Sequence, residues 1–194
     1  MIKGAKEWDK WFFIQDNNLF EVMSKKVGGR MLYETCGISS AINCVATLGT
    51  NMLIKSPGGY QVQPETALLD WFWNPDTQEL QEKIRSGVDK IPDQRIPQYY
   101  PEAVKQVFNV KAEFHWGSDW DMAIYELQKG NTIQLCIPGH YIALVAYDTT
   151  TKEIIWLNSW PGDKRNKRGG NKERMSKDYF DKNTSKYYNI FFGK

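Results

Sequence analysis

Cys36 heads the stretch TCGISSAINCVATLG, in which Ile38, Ala41, Ile42, Val45 and Leu48 recur at helical spacing and Gly49 supplies a stop. A cysteine at or next to a helix start lies near unpaired backbone N–H groups and the positive end of the dipole. Both lower the thiol pKa and enlarge the nucleophilic thiolate fraction. Gly37 beside it lets a substrate backbone approach closely. A free cysteine is equally at home as a small buried hydrophobe, which is how Cys44, eight residues further along the apolar face, reads. Cys36 alone leaves both readings open.

A base is available from His140, which follows the Pro138-Gly139 turn and opens the strand HYIALVAYD. Its ring is expected to project from a sheet edge while the next residues enter the core. The other histidine, His115 in AEFHWG, has no second polar partner nearby in sequence and reads as structural or exposed. Asn158, at the end of EIIWLNSW and 18 residues after His140, returns to it if the two segments form a hairpin. An amide oxygen accepting the ring N–H would orient the imidazole and leave its other nitrogen for the thiol. Such an acceptor also survives in Asn158→Asp, so that substitution is expected to be milder than Asn158→Ala. Trp160 would shield the bond from water. Asn158 also fits as a strand-end turn residue before Ser-Trp-Pro-Gly.

The order of these pieces, TCGISSA around Cys36, GHYIALVAYD 104 residues from nucleophile to histidine, then LNSWPG, is similar to that of the papain-like cysteine peptidases. The NSW segment is the most papain-like. The T-C-G-x-S-S-A and G-H-Y elements resemble the bacterial and phage branch related to the peptidases that process double-glycine leaders. The resemblance runs from Gln15 to about Phe180 and implies a Cys36–His140–Asn158 triad. It also implies a glutamine upstream of the nucleophile that joins the Cys36 N–H in holding the oxyanion. The residue six before the nucleophile is Arg30, so the close papain spacing fails, and Gln15 in FIQDNN is the candidate donor, with Asn17 and Asn18 as weaker ones.

The elements needed to position these residues are legible as two zones. Helices are predicted for the Cys36 stretch, for PETALLDWFW with Pro64 in its first turn, for DTQELQEKIRSG and for YPEAVKQVF. A further helix is predicted in SDWDMAIYELQKG, with Ser118 and Asp121 as its capping pattern and Gly130 as its stop. TIQLCIP, HYIALVAYD and EIIWLNSW then read as neighbouring antiparallel strands, with KAEFHW and YYNIFFG as two more. The expectation is an α+β fold, papain-like, with the nucleophile-bearing helix in a layer packed on an antiparallel sheet, in one domain spanning residues 1–194.

Composition excludes several other classes. The longest uninterrupted apolar run, Tyr141 to Tyr147, is far too short to span a bilayer. The first residues hold no apolar stretch of signal-peptide length, so a cytoplasmic location in the producing cell is expected, with release by lysis or special export. Three cysteines do not make a disulfide framework. No Cys/His spacing fits zinc, no glycine-rich phosphate loop is present, and Glu65 and Asp70 do not face each other as a glycosidase pair would. No cofactor is expected. Ten basic against four acidic residues from Asp163 to Lys194 concentrate positive charge in DKRNKRGGNKERMSK, read first as a solvated loop and secondly as a contact for wall polymers. Nucleic acid is a poor fit, since no aromatic interrupts the Lys/Arg run. The expected function is a monomeric cysteine peptidase acting on peptides or on peptidoglycan peptides, as a phage endolysin does. Two rivals are open: transglutaminase-like acyl transfer or deamidation, and a non-catalytic wall-binding module.

Overall fold

The computed structural model describes residues 1–10, 36–55, 59–73, 96–159 and 172–193. Its helices are α1 (Cys36–Thr47), α2 (Pro64–Trp73), α3 (Tyr100–Phe108), α4 (Trp120–Gln128) and α5 (Lys177–Asn183), with a 3-10 turn at Pro97–Tyr99. Its strands are β1 (Ile2–Gly4), β2 (Ile54–Lys55), β3 (Gln61–Val62), β4 (Ala112–Trp116), β5 (Thr132–Ile137), β6 (His140–Asp148), β7 (Glu153–Leu157), β8 (Lys172–Met175) and β9 (Tyr187–Phe191). The expected helix in DTQELQEKIRSG lies outside the described residues.

Strands β4–β9–β5–β6–β7–β8 follow one another across a sheet, and β1 joins it beside β6; the described pairings are all antiparallel. The architecture is α+β, as its sequence predicts. Helices cover both faces. On one side α1, α2 and α3 pack with Ala143, Val145, Ile155 and Leu157. On the other, Trp120, Leu127 and Phe180 of α4 and α5 pack with Ile142, Leu144, Ile154 and Trp156. A strand buried on both faces has no polar side to show, which is why β6 reads as a continuous apolar run and all nine of its residues are buried.

All twelve residues of α1 are buried, so its polar groups need partners inside the protein. Thr47 Oγ1 donates to the carbonyls of Asn43 (2.7 Å) and Cys44 (3.0 Å), and Ser40 Oγ donates to Gly37 O (2.9 Å). Strand β5 supplies the rest: Thr132 Oγ1 donates to Cys44 O (3.2 Å), while Gln134 Nε2 donates to Gly37 O (2.8 Å) and Ser40 Oγ (2.9 Å). Asn189 Nδ2 on β9 holds Gln134 Oε1 from behind at 2.9 Å. Alternate residues of a strand share a face. Passing from Thr132 to Gln134 to Cys136 therefore leads along α1 back toward its first residue.

Three local readings change. The N-cap of α4 is Asp119, whose Oδ1 accepts from the Met122 N–H (2.7 Å), not the expected Ser118 and Asp121 pattern. Ser118 Oγ is engaged by the Ser185 carbonyl instead. The end of the basic stretch is not loop, since Lys172–Met175 forms β8 against β7 and Ser176 then caps α5. Finally, β1, β2 and β3 are strands that no periodicity announces, being only two or three residues long.

Candidate active site

Cys36 is the first residue of α1 and is 7% exposed. No acidic residue occupies the first turn, so nothing there offsets the positive end of the helix dipole. Cys36 lies against the end of the β5–β6 hairpin. Burial, and after it the charge of Cys36, push the Cys136 thiol up to about 11, with a backbone hydrogen bond from His140 acting in the opposite direction. Burial raises the Tyr141 phenol far above its ordinary range, with Tyr187, Cys136 and Cys36 adding to it. Tyr141 follows His140 and pairs with Cys136 across the hairpin, so Cys36 is in electrostatic reach of the residues that flank His140.

The hairpin turns at Pro138-Gly139, closed by the Ile137–His140 pair. Gly139 has φ 73°, and proline followed by a left-handed glycine is the type II arrangement, which fixes where His140 enters the sheet. Asn158 follows β7, whose Leu157 pairs with Ala143 on β6. His140 Nε2 lies 2.9 Å from Asn158 Oδ1, and both residues are buried. The opposite end of that amide, Nδ2, donates to Glu173 Oε1 on β8 at 2.8 Å. With Nδ2 given to a carboxylate, Oδ1 is an acceptor and Nε2 is the protonated ring nitrogen. Glu173 was not singled out in the sequence, where it sits inside the basic stretch. Its one signal is position in a short segment before a capping serine.

Beside this hairpin end, an open cleft of about 360 Å³ lies between Cys136–Gly139 and the end of α5 with the residues after it, Lys182–Ser185, and has Tyr187 at one wall.

The other candidates are distributed as follows. Gln15, Asn17, Asn18, Arg30 and Trp160 lie outside the described residues. His115 is on β4, away from the site, stacked on Tyr188 (centroids 5.4 Å apart) and 3.5 Å from Glu113 Oε2. Cys44 is fully buried, and its thiol is pushed far above the ordinary range by that burial, in keeping with a packing role. Trp71 is a core residue whose Nε1 donates to Gln106 Oε1 (2.8 Å). Among the described residues no cluster of His, Cys, Asp or Glu is arranged to hold a metal ion, and no helix is long and apolar enough to cross a membrane.

A helix-borne cysteine set against an antiparallel sheet that carries a hydrogen-bonded histidine and asparagine is the arrangement of a papain-like cysteine peptidase. The model of the Peptidase_C39 like family matches residues 14–189, and the chain belongs to that family. It is a cysteine peptidase, a hydrolase. A search of curated proteins finds no match.

Proposed function

We propose that Cys36, His140 and Asn158 form the catalytic triad and that the scissile bond belongs to a cell-wall peptide. The observation that carries the triad is the His140–Asn158 hydrogen bond of 2.9 Å, with Cys36 at a helix start in electrostatic reach of Tyr141 and Cys136 on either side of the turn before His140. Asn158 holds the proton on Nε2, which assigns Nδ1 to the exchange with the Cys36 thiol. The thiolate attacks the peptide carbonyl, forming a tetrahedral oxyanion that the Cys36 N–H and, by the family resemblance, Gln15 stabilise. Imidazolium then delivers its proton to the departing amine, leaving a thioester on Cys36. Water attacks the thioester with His140 as base, releasing the new carboxylate. No cofactor enters this cycle.

The choice of wall peptide rests on charge. Lys164, Arg165, Lys167 and Arg168 form a dense basic run that favours anionic wall polymers over neutral substrates. The test is mass spectrometry of products after incubation with peptidoglycan and, separately, with an unstructured protein. Peptidoglycan fragments that have gained one water, absent with Cys36→Ala, support the whole reading. Cleavage of the unstructured protein alone replaces the substrate. A product in which a new amide stands where a carboxylate was expected places the enzyme among acyl transferases.

A further inference from the structure

The side-chain amide of Asn158 is nearly symmetric in shape, so packing alone does not decide which end meets the histidine. The partner at the far end decides it. An ionised carboxylate has no proton to donate and can only accept, so a Glu173 oxygen 2.8 Å from Asn158 Nδ2 commits the NH₂ group to β8 and the oxygen to His140. Reversal of the amide would bring its oxygen against the carboxylate and its NH₂ against a protonated ring nitrogen. Both bonds would be lost together.

The sheet places Glu173 for this task. Strand β8 pairs with β7 from Ile154↔Met175 to Leu157↔Lys172, which sets Glu173 opposite Trp156. Asn158 lies just beyond the end of β7, two residues after Trp156, and its Nδ2 is 2.8 Å from Glu173 Oε1. Glu173 is half-buried, Met175 beyond it is anchored in the core, and Arg174 between them turns outward to Asp148 (3.0 Å).

We propose that Glu173 is a positioning residue of the catalytic site, which acts through Asn158 to hold His140 with its proton on Nε2 and to favour the imidazolium that forms during turnover. This rests on the triad reading above. It adds a fourth member, drawn from a strand that is separated from β7 by the basic segment.

The test is an exchange of the two groups. Glu173→Gln and Glu173→Ala each lower kcat by about 10-fold or more with KM little changed, by analogy with the roughly 10–100-fold that hydrogen-bond partners of metal-bound histidines are worth. Asn158→Asp by itself sets two carboxylates against each other, so they must share a proton or separate. Its activity is lower than that of Glu173→Gln and falls further as pH rises and the shared proton is lost. The double variant Asn158→Asp with Glu173→Gln restores an amide-to-carboxylate bond in the reverse sense, and recovers at least 10-fold over Asn158→Asp alone. The pH profile of Cys36 alkylation by iodoacetamide is followed in the same proteins, as it reports the thiol–imidazole pair without any substrate. A wild-type protein that cleaves no peptide overturns the peptidase reading, while a profile that shifts in Glu173→Gln still upholds the positioning role. If Glu173→Gln leaves both kcat and the alkylation profile at wild-type values, and does not improve Asn158→Asp, Glu173 is only a surface contact and the proposal fails.

Discussion

At the scale of single residues, the three cysteines sort by environment. Burial keeps Cys44 far above the ordinary thiol range and holds Cys136 at about 11, whereas Cys36 alone stands at a helix start. Iodoacetamide near neutral pH is therefore expected to modify Cys36 first, located by peptide mapping, with Cys136 becoming reactive only as pH rises toward 11. Early modification of Cys136 would contradict the assignment. The start of α1 at Cys36 and the approach of Asn158 to His140 were legible in the sequence, the first from helical spacing and the second from a hairpin, with only two histidines competing. Glu173 was not legible, because its partner is defined by the β7–β8 register across an intervening segment. The surviving acceptor makes Asn158→Asp look milder than Asn158→Ala, and the Glu173 carboxylate 2.8 Å from Asn158 Nδ2 gives a reason to expect the opposite order.

At the scale of elements, the site depends on how α1 is docked. Gln134 makes two bonds to the first turn of α1, at Gly37 O and Ser40 Oγ, from a fully buried position. Gln134→Ala leaves those groups without that donor and is expected to cost about 1–3 kcal/mol in denaturant unfolding. It is also expected to slow Cys36 alkylation, since the helix start is no longer held. Wild-type alkylation in a destabilised protein would separate docking from reactivity. Strand β1 offers a second check. A methyl at Gly4 would be driven into Ala146 and the Val145 carbonyl of β6, so Gly4→Ala is expected to cost about 1–3 kcal/mol and to release the amides of β1 to hydrogen exchange. Long periodic elements were legible: α3 begins and ends where YPEAVKQVF does, and β5 and β6 match their runs. Strands β1, β2, β3 and β8 were not, since two to four residues carry no readable period.

At the scale of the whole molecule, the sheet order holds what sequence reading missed. The last strand, β9, inserts between β4 and β5, and no local pattern predicts a long-range pairing of that kind. The edges are joined by charge at Asp148, where β1, β6 and β8 meet. The Thr150 N–H, and after it Arg174, hold the Asp148 carboxyl below the ordinary carboxylate range. A depressed folded-state pKa contributes stability that is present above the unfolded value of about 4, and this stability is lost as pH falls through the folded value. Asp148→Asn is thus expected to be less stable than wild type at neutral pH, with the difference narrowing in acid; a difference that is independent of pH in denaturant titrations would argue against this linkage.

The central claim is that Cys36 carries the acyl group during turnover. It is tested most directly by intact-protein mass spectrometry of a rapidly quenched reaction with an activated peptide ester, followed by peptide mapping. The expected result is one acyl adduct per chain, mapped to Cys36, absent from Cys36→Ala and slower to form in His140→Ala. Product that accumulates with no adduct on Cys36, or an adduct that maps to another residue, would contradict it.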